Sequence, residues 1–317
     1  MSRMPLSERP LILVYHEKQA ARYAQALSQM GFGRVVAAHD EESATRWLNE
    51  AEVLFAWRFP GALYGHMPNL RWVQWMGAGV EDVADNIPDS VKLTRIVGQF
   101  GRVMAEYVFT WLLHEHQGVD RFLSAKRNHE WKPQRPESLA GKTLGVAGLG
   151  SIGQEVVRLG RAFGMKVVGL SRTGANQEWV DEHFFPSQWL DFAKRVDVLT
   201  VILPLTAETE QAVNEAVLSA LKDTAILVNI GRGKTVDEAA LRSRLETGSL
   251  RAAVLDVFAE EPLPSDHPFW EMPQVHLTPH ISGPSLVQDV SHFFAANFER
   301  YARDLPLVGE VDTERGY

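Results

Sequence analysis

Cysteine does not occur in this 317-residue sequence, which removes disulfides, zinc–thiolate sites, iron–sulfur clusters and thiol catalysis together. A basic excess is lacking too: 32 Lys and Arg stand against 40 Asp and Glu, for a net charge of −8. That balance argues against a general nucleic-acid or anionic-membrane partner while leaving room for a local basic pocket. Long apolar runs are missing as well. The first, Leu11 to Tyr15, is too brief for a signal sequence or a membrane span, so a cytoplasmic setting is expected. The 45% hydrophobic content over this length is enough for two domains, each with its own core.

Two series of short apolar runs alternate with helical patterns. The first comprises L-I-L-V-Y (11–15), R-V-V-A-A (34–38), V-L-F-A-W (53–57) and R-W-V-Q-W-M (71–76), with helix-like stretches at 18–30 and 41–50. The second comprises T-L-G-V-A-G-L (143–149), K-V-V-G-L-S (166–171), D-V-L-T-V-I-L (197–203), A-I-L-V-N-I (225–230), A-A-V-L-D-V (252–257) and V-H-L-T (275–278). Such alternation predicts parallel sheets covered on both faces, and six strands with crossovers predict a doubly wound α/β domain. A helix is expected from about Arg102 to Gln117, followed by a Pro-containing connection at 131–137. The helical segment 286–303 is expected to return to the first domain. The expected organisation is therefore a discontinuous domain, 1–98 with 286–317, and a second domain, 99–285, with a cleft between them.

The motif G-L-G-S-I-G (148–153) follows a predicted strand and opens a predicted helix. Gly148 permits the tight turn, Gly150 lets backbone approach a pyrophosphate, and Gly153 lets the helix pack on its strand. Amides near Ser151 and Ile152, at the helix start, face the phosphates. An NAD site places an acid about 20 residues further on to bind the ribose hydroxyls. Here those positions hold Ser171, Arg172 and Thr173. No carboxylate repels a 2′-phosphate, and a guanidinium beside two hydroxyls suits one. The reading is NADP(H), with NAD(H) possible at lower affinity.

Three polar residues follow three successive predicted strands: Arg232 in N-I-G-R-G, Glu261 in D-V-F-A-E-E-P-L and His280 in T-P-H-I-S-G. Singly, each could be an ordinary surface residue. Jointly they stand at the carboxyl edge of one sheet, where ligands of such folds bind. Their chemistry fits reduction of a 2-oxo acid: His280 gives the proton, Glu261 orients it, and Arg232 binds the carboxylate and polarises the carbonyl.

With these residues and G-A-G-V (77–80), M-A-E-Y-V (104–108) and L-P-L-T (203–206), the chain resembles the D-isomer-specific 2-hydroxyacid dehydrogenases, and among them the glyoxylate/hydroxypyruvate reductase branch. The spacing agrees, with Glu261 29 positions after Arg232 and His280 19 after Glu261. The resemblance implies a Rossmann cofactor domain and a smaller flavodoxin-like substrate domain. It implies catalytic roles for Arg232, Glu261 and His280, cofactor contacts from Leu203, Pro204, Ile230, Gly231 and Gly283, and a nicotinamide carboxamide contact from Asp256. It implies that the amides of Ala78 and Gly79 bind the substrate carboxylate and that the molecule is a homodimer. The ending G-E-V-D-T-E-R-G-Y (309–317) resembles the same branch. Gly231 stands where many members have Ala, a change expected to be tolerated beside the cofactor but to alter packing.

Trp57 and Arg58, at a strand end, are candidate walls for the substrate side chain. His114 and His116 look like a metal pair, but positions two apart on a helix diverge, and no metal is expected there. Alternatives are a dehydrogenase for a larger 2-oxo acid and a cofactor-sensing protein resembling the corepressors of this family. A short-chain dehydrogenase is excluded, because no tyrosine has a lysine four positions on.

Overall fold

Leu11–Tyr15 (β1) is buried along its whole length, the signature of a strand covered on both faces rather than one. The structure, a computed structural model, describes residues 9–80 and 83–311; the last six residues of the 309–317 motif lie outside them. The chain divides into two units, Met1–Gln99 with Ser285–Tyr317, and Phe100–Pro284.

In the first unit β1 is followed by Ala20–Gln29 (α1), Val35–Ala38 (β2), Glu41–Thr45 (α2), Ala51–Ala56 (β3), Trp72–Trp75 (β4) and Lys92–Thr94 (β5). The strands form a parallel sheet in the order β2-β1-β3-β4-β5. The edge strand β5 was not expected, and α2 is shorter than the pattern at 41–50. Asp40 caps α2 by accepting from Ser43 N at 2.8 Å, but Thr45 Oγ1 bonds back to Glu41 O at 2.7 Å, a local competitor of the helical ladder.

The second unit opens with Gly101–Gln117 (α3), which ends at Gly118 in the left-handed region (φ 66°). An unexpected helix, Val119–Arg127 (α4), restarts there. Then come Thr143–Ala147 (β6), Ser151–Ala162 (α5), Lys166–Leu170 (β7), Glu182–Phe184 (β8), Trp189–Arg195 (α6), Val198–Val201 (β9), Glu215–Ala220 (α7), Ile226–Asn229 (β10), Glu238–Glu246 (α8), Ala252–Leu255 (β11) and Val275–Leu277 (β12). The parallel order is β12-β11-β10-β9-β6-β7-β8. Seven strands stand where six were read. The seventh, E-H-F in β8, is too short and too polar to show a strand period. From β6 the chain winds outward through β7 and β8, then returns to β9 on the other side of β6. The resulting switch point lies between β6 and β9, the place where such sheets bind ligands.

The chain then re-enters the first unit as Val287–Tyr301 (α9). Phe294 of α9 stacks on Trp72 at 5.2 Å and on Phe55 at 4.6 Å. Asn297 donates to Gln74 Oε1 at 3.0 Å and accepts from Val308 N at 2.8 Å, so this buried amide is satisfied. Among the described residues no helix is long and apolar enough to cross a membrane.

Candidate active site

The glycine turn between β6 and α5 has a separate steric reason at each glycine. Gly148 has φ +107°, and a Cβ there would come within 2.6 Å of Ile202 O. At Gly153 a Cβ would meet Gly148 O at 2.0 Å, so the third glycine closes α5 onto the turn. At Gly150 a Cβ would meet nothing within 4 Å. Its missing side chain relieves no contact within the protein; it leaves space in front of the α5 N-terminus, where Ser151 and Ile152 begin the helix and its first amides lack intrahelical partners. That space suits a pyrophosphate, and the residues present fit a dinucleotide.

The segment after β7 folds back on this turn: Asn176 Nδ2 donates to Leu149 O at 2.8 Å. Ser171 N donates to Phe184 O at 3.1 Å, and Ser171 Oγ is 2.8 Å from His183 Nε2. Arg172 Nη1 lies 4.0 Å from Glu208 Oε2, and Thr173 Oγ1 accepts from Ala175 N at 3.3 Å. Arg172 and Thr173 are exposed and Ser171 is half-buried. His183 was not among the expected site residues; the only signal for it was β8, itself unread. Burial holds its imidazole below the usual histidine range.

Arg232, Glu261 and His280 follow β10, β11 and β12, three neighbours in the sheet. His280 Nδ1 is 2.8 Å from Glu261 Oε2, and Glu261 Oε1 accepts from Phe258 N at 3.0 Å. Burial alone would raise the Glu261 carboxyl. Hydrogen bonds from His280 and Phe258, with the charges of His280 and Arg232, outweigh it and hold the group below the usual carboxylate range. An ionised Glu261 only accepts, so Nδ1 is the donor and Nε2 is the ring atom left for a second proton. The His280 side chain is 49% exposed, so Nε2 has access to a ligand.

Two residues outside the expected set build these loops. Asn229, 1% exposed, accepts from Gly231 N at 3.1 Å and donates to Arg232 O at 3.0 Å; Arg232 Nη1 in turn donates to Gly231 O at 2.8 Å. Thr278 Oγ1 donates to Asp256 Oδ1 at 2.6 Å and lies 2.6 Å from Tyr107 OH. Asp256 is fully buried. Its Oδ1 also accepts from Ile281 N at 2.8 Å, and its Oδ2 from Ser282 N at 2.9 Å. These bonds clamp the loop that holds His280 at φ 52°, a left-handed backbone that costs a side-chain-bearing residue free energy. The geometry thus gives Asp256 a positioning role, with one lone-pair direction on Oδ2 beyond those its loop bonds use.

Gly231 alters the packing, as expected. A Cβ there would lie 2.7 Å from Leu203 O and 2.9 Å from Leu203 N, so alanine would press on the Leu203-Pro204 loop. The glycine is a packing requirement of this chain. Gly283 is looser: a Cβ would meet Met104 Sδ at 3.1 Å.

In the first unit, Trp57 follows β3 and packs on Trp75 at 5.3 Å, with the Arg58 guanidinium 5.9 Å from its ring centroid. A Cβ at Gly77 would meet the Trp57 ring at 2.3 Å, which explains the glycine opening the Gly77-Ala78-Gly79 loop. Arg95 Nη1 donates to Ala78 O at 3.2 Å. His114 and His116 do diverge. His116 is buried, with Nδ1 2.8 Å from Leu112 O, whereas His114 lies 2.8 Å from Asp120 Oδ2 and edge-on to His276. The potential ligand atoms of His114, Asp120 and His276 fall within 4.8 Å of one another. They belong to an ion-pair network in which His276 bonds to Glu115 and Arg251 Nε sits 3.5 Å from Glu115, so the network already holds a cation.

Residues 109–282 match the family described as D-isomer specific 2-hydroxyacid dehydrogenase, NAD binding domain. A glyoxylate/hydroxypyruvate reductase A of Serratia proteamaculans is 32% identical over 275 residues, spanning 84% of this chain and 88% of the relative. A solved D-isomer specific 2-hydroxyacid dehydrogenase family protein from Aeromonas salmonicida has a TM-score of 0.89 at 33% identity, over 96% of this chain and 100% of that one. An NADPH-dependent glyoxylate/hydroxypyruvate reductase from Sinorhizobium meliloti, solved in complex with NADP and sulfate, has a TM-score of 0.88 at 30% identity, over 97% and 100% of the two chains. The chain belongs to the D-isomer specific 2-hydroxyacid dehydrogenase family, in its glyoxylate/hydroxypyruvate reductase branch.

Proposed function

We propose that this chain reduces small 2-oxo acids, glyoxylate to glycolate and hydroxypyruvate to D-glycerate, with NADPH as reductant. As a member of its family it is an NAD(P)-dependent oxidoreductase that binds NADP(H). The observation that carries the reading is the His280–Glu261 pair at 2.8 Å, at the end of the strand beside the one that leads to Arg232.

When bound, NADPH supplies a hydride to the carbonyl carbon. The protein's own residues do the rest. Arg232 holds the substrate carboxylate and sets a fixed cation near the carbonyl oxygen, where negative charge grows during reduction. Imidazolium His280 delivers its Nε2 proton to that oxygen and is left neutral, to be reprotonated from solvent. Glu261, ionised and anchored by Phe258 N, keeps Nδ1–H in place and stabilises the charged ring. Asp256 holds the loop that aims His280, and a carboxamide contact would be a further duty of its Oδ2. Ala78 and Gly79 bind the substrate carboxylate through backbone amides, and Trp57 limits the substrate side chain. The active form is a homodimer.

The test is a panel of glyoxylate, hydroxypyruvate, pyruvate and phenylpyruvate, followed by nicotinamide absorbance with NADPH and with NADH. The expected result is the highest kcat/KM for the two small acids with NADPH. Faster turnover of phenylpyruvate would move the chain to the dehydrogenases of larger 2-oxo acids. Tight cofactor binding without oxidation by any acid would make it a sensor.

A further inference from the structure

The edge strand β8 contributes one residue to the end of β7: His183, opposite Gly169 in the register, with Nε2 2.8 Å from Ser171 Oγ. A hydrogen bond between a hydroxyl and an imidazole can run in either direction. If Nε2 is bare, Ser171 donates to it and has no hydrogen left for a phosphate oxygen. If Nε2 carries a proton, it donates to Oγ and the hydroxyl hydrogen is released toward a ligand. An anion at the end of β7 selects the second arrangement. It does so most strongly when the ring is an imidazolium, whose charge then stands one hydroxyl away from the phosphate.

We propose that His183 is a specificity-determining residue for the phosphorylated cofactor: through Nε2 it sets the Ser171 hydroxyl as a donor to the 2′-phosphate, and it takes up a proton as that phosphate binds. The proposal rests on NADP(H) as the cofactor and makes cofactor choice depend on pH. The surroundings leave this response to the ligand. Phe185 packs edge-on to the ring at 4.8 Å. Three pairs of charged groups stand on the neighbouring elements: Asp181 with Arg161 at 3.1 Å, Glu182 with Arg195 at 3.7 Å and Arg172 with Glu208 at 4.0 Å. Burial keeps the ring below the usual histidine range in the free protein, so the proton arrives with the phosphate.

The experiment is calorimetric titration of NADP+ and NAD+ into the purified protein and its His183→Gln and His183→Phe variants, between pH 6 and pH 8, in two buffers of unlike ionisation enthalpy. Gln can still donate to Ser171 but cannot take up a proton; Phe can do neither. Relative to His183→Gln, the parent protein should bind NADP+ several-fold more tightly at pH 6, approaching the roughly tenfold limit of a one-unit pKa rise only at lower pH, and the difference should vanish at pH 8. Only the parent should show net proton uptake on binding NADP+ beyond that of the variants, and NAD+ affinity should be alike in all three. His183→Phe should bind NADP+ more weakly than His183→Gln at every pH. Identical pH profiles and proton counts in the parent and His183→Gln, with NADP+ still preferred over NAD+, would overturn the role of His183 alone. No preference for NADP+ at any pH would overturn the cofactor reading itself.

Discussion

His280 combines a proton-carrying side chain with a backbone conformation that few residues other than glycine adopt readily. Its φ of 52° persists because His280 N donates to Asp256 O at 2.9 Å while the Asp256 carboxylate collects Thr278, Ile281 and Ser282. Chemistry and positioning can therefore be separated by mutation. His280→Ala should lower kcat by at least the roughly 100-fold typical of general acid–base catalysis while leaving the melting temperature and NADPH affinity near those of the parent. Asp256→Asn puts a donor against at least one loop N–H, so it should lower both kcat and melting temperature. A normal kcat in either variant would remove that residue from its role. The residues with chemical signatures were legible in the sequence, because Arg232, Glu261 and His280 each follow a recognisable strand. Asn229, Thr278 and His183 were not. Thr278 and His183 hold other groups through contacts made across strands, and Asn229 braces the backbone of its own turn; Asn229 and Thr278 lack the chemical signature of a catalytic group, and His183 lies in the unread strand β8.

The strand–turn–helix element of β6 and α5 separates a packing glycine from a binding glycine. Gly153→Ala should lose stability, because its Cβ would be driven to 2.0 Å from Gly148 O; forced overpacking of this kind costs about 1–3 kcal/mol. Gly150→Ala should melt like the parent yet lose the stabilisation that NADP+ confers, since its Cβ would meet only the ligand's space. Thermal melts with and without NADP+ would check both, and an equal loss of apo stability in the two variants would contradict the distinction. Continuous apolar runs such as β1 and β6, and the long helices α3 and α9, were readable in the sequence. The three-residue strands β5 (K-L-T) and β8 (E-H-F) were not, since each is too short and too polar to form an apolar run, whereas the equally short β12 has two apolar residues and was read. Helix α4 was missed for a different reason: Gly118 interrupts the pattern and begins a new helix at the same point. Gly231 was legible as a departure that alters packing; that the obstacle to alanine is the backbone of another loop was not.

Across the whole molecule, acid should be the more damaging direction of pH. Burial lowers the imidazole affinities of His16, His116 and His183 for a proton. A depressed folded-state value means the unfolded chain binds protons first, so stability present above about pH 6.5 declines as pH falls through the histidine range. A second decline follows from the carboxylates. For Glu115 and Asp197, burial acts upward but is outweighed by His276 and Arg251 in one case and by Lys222 and Thr143 N in the other; for Glu137 the Arg251 hydrogen bond leads. Their contributions hold above the ordinary carboxylate values and fade as pH drops through the lower folded ones. Melting temperature should therefore be nearly level from pH 7 to 8, fall below about 6.5 and fall more steeply below about 4.5; a rise on acidification would refute the assignment. The insertion of one unit within the other also sets an order of events during synthesis. Phe294 and Phe298, the α9 rings that close over Trp72, Phe55 and Phe32, leave the ribosome only after all of the inserted unit has emerged. The nascent protein thus carries an open sheet with its aromatic face uncovered while its neighbour already has every strand it needs, and that interval is when the chain has most need of a chaperone.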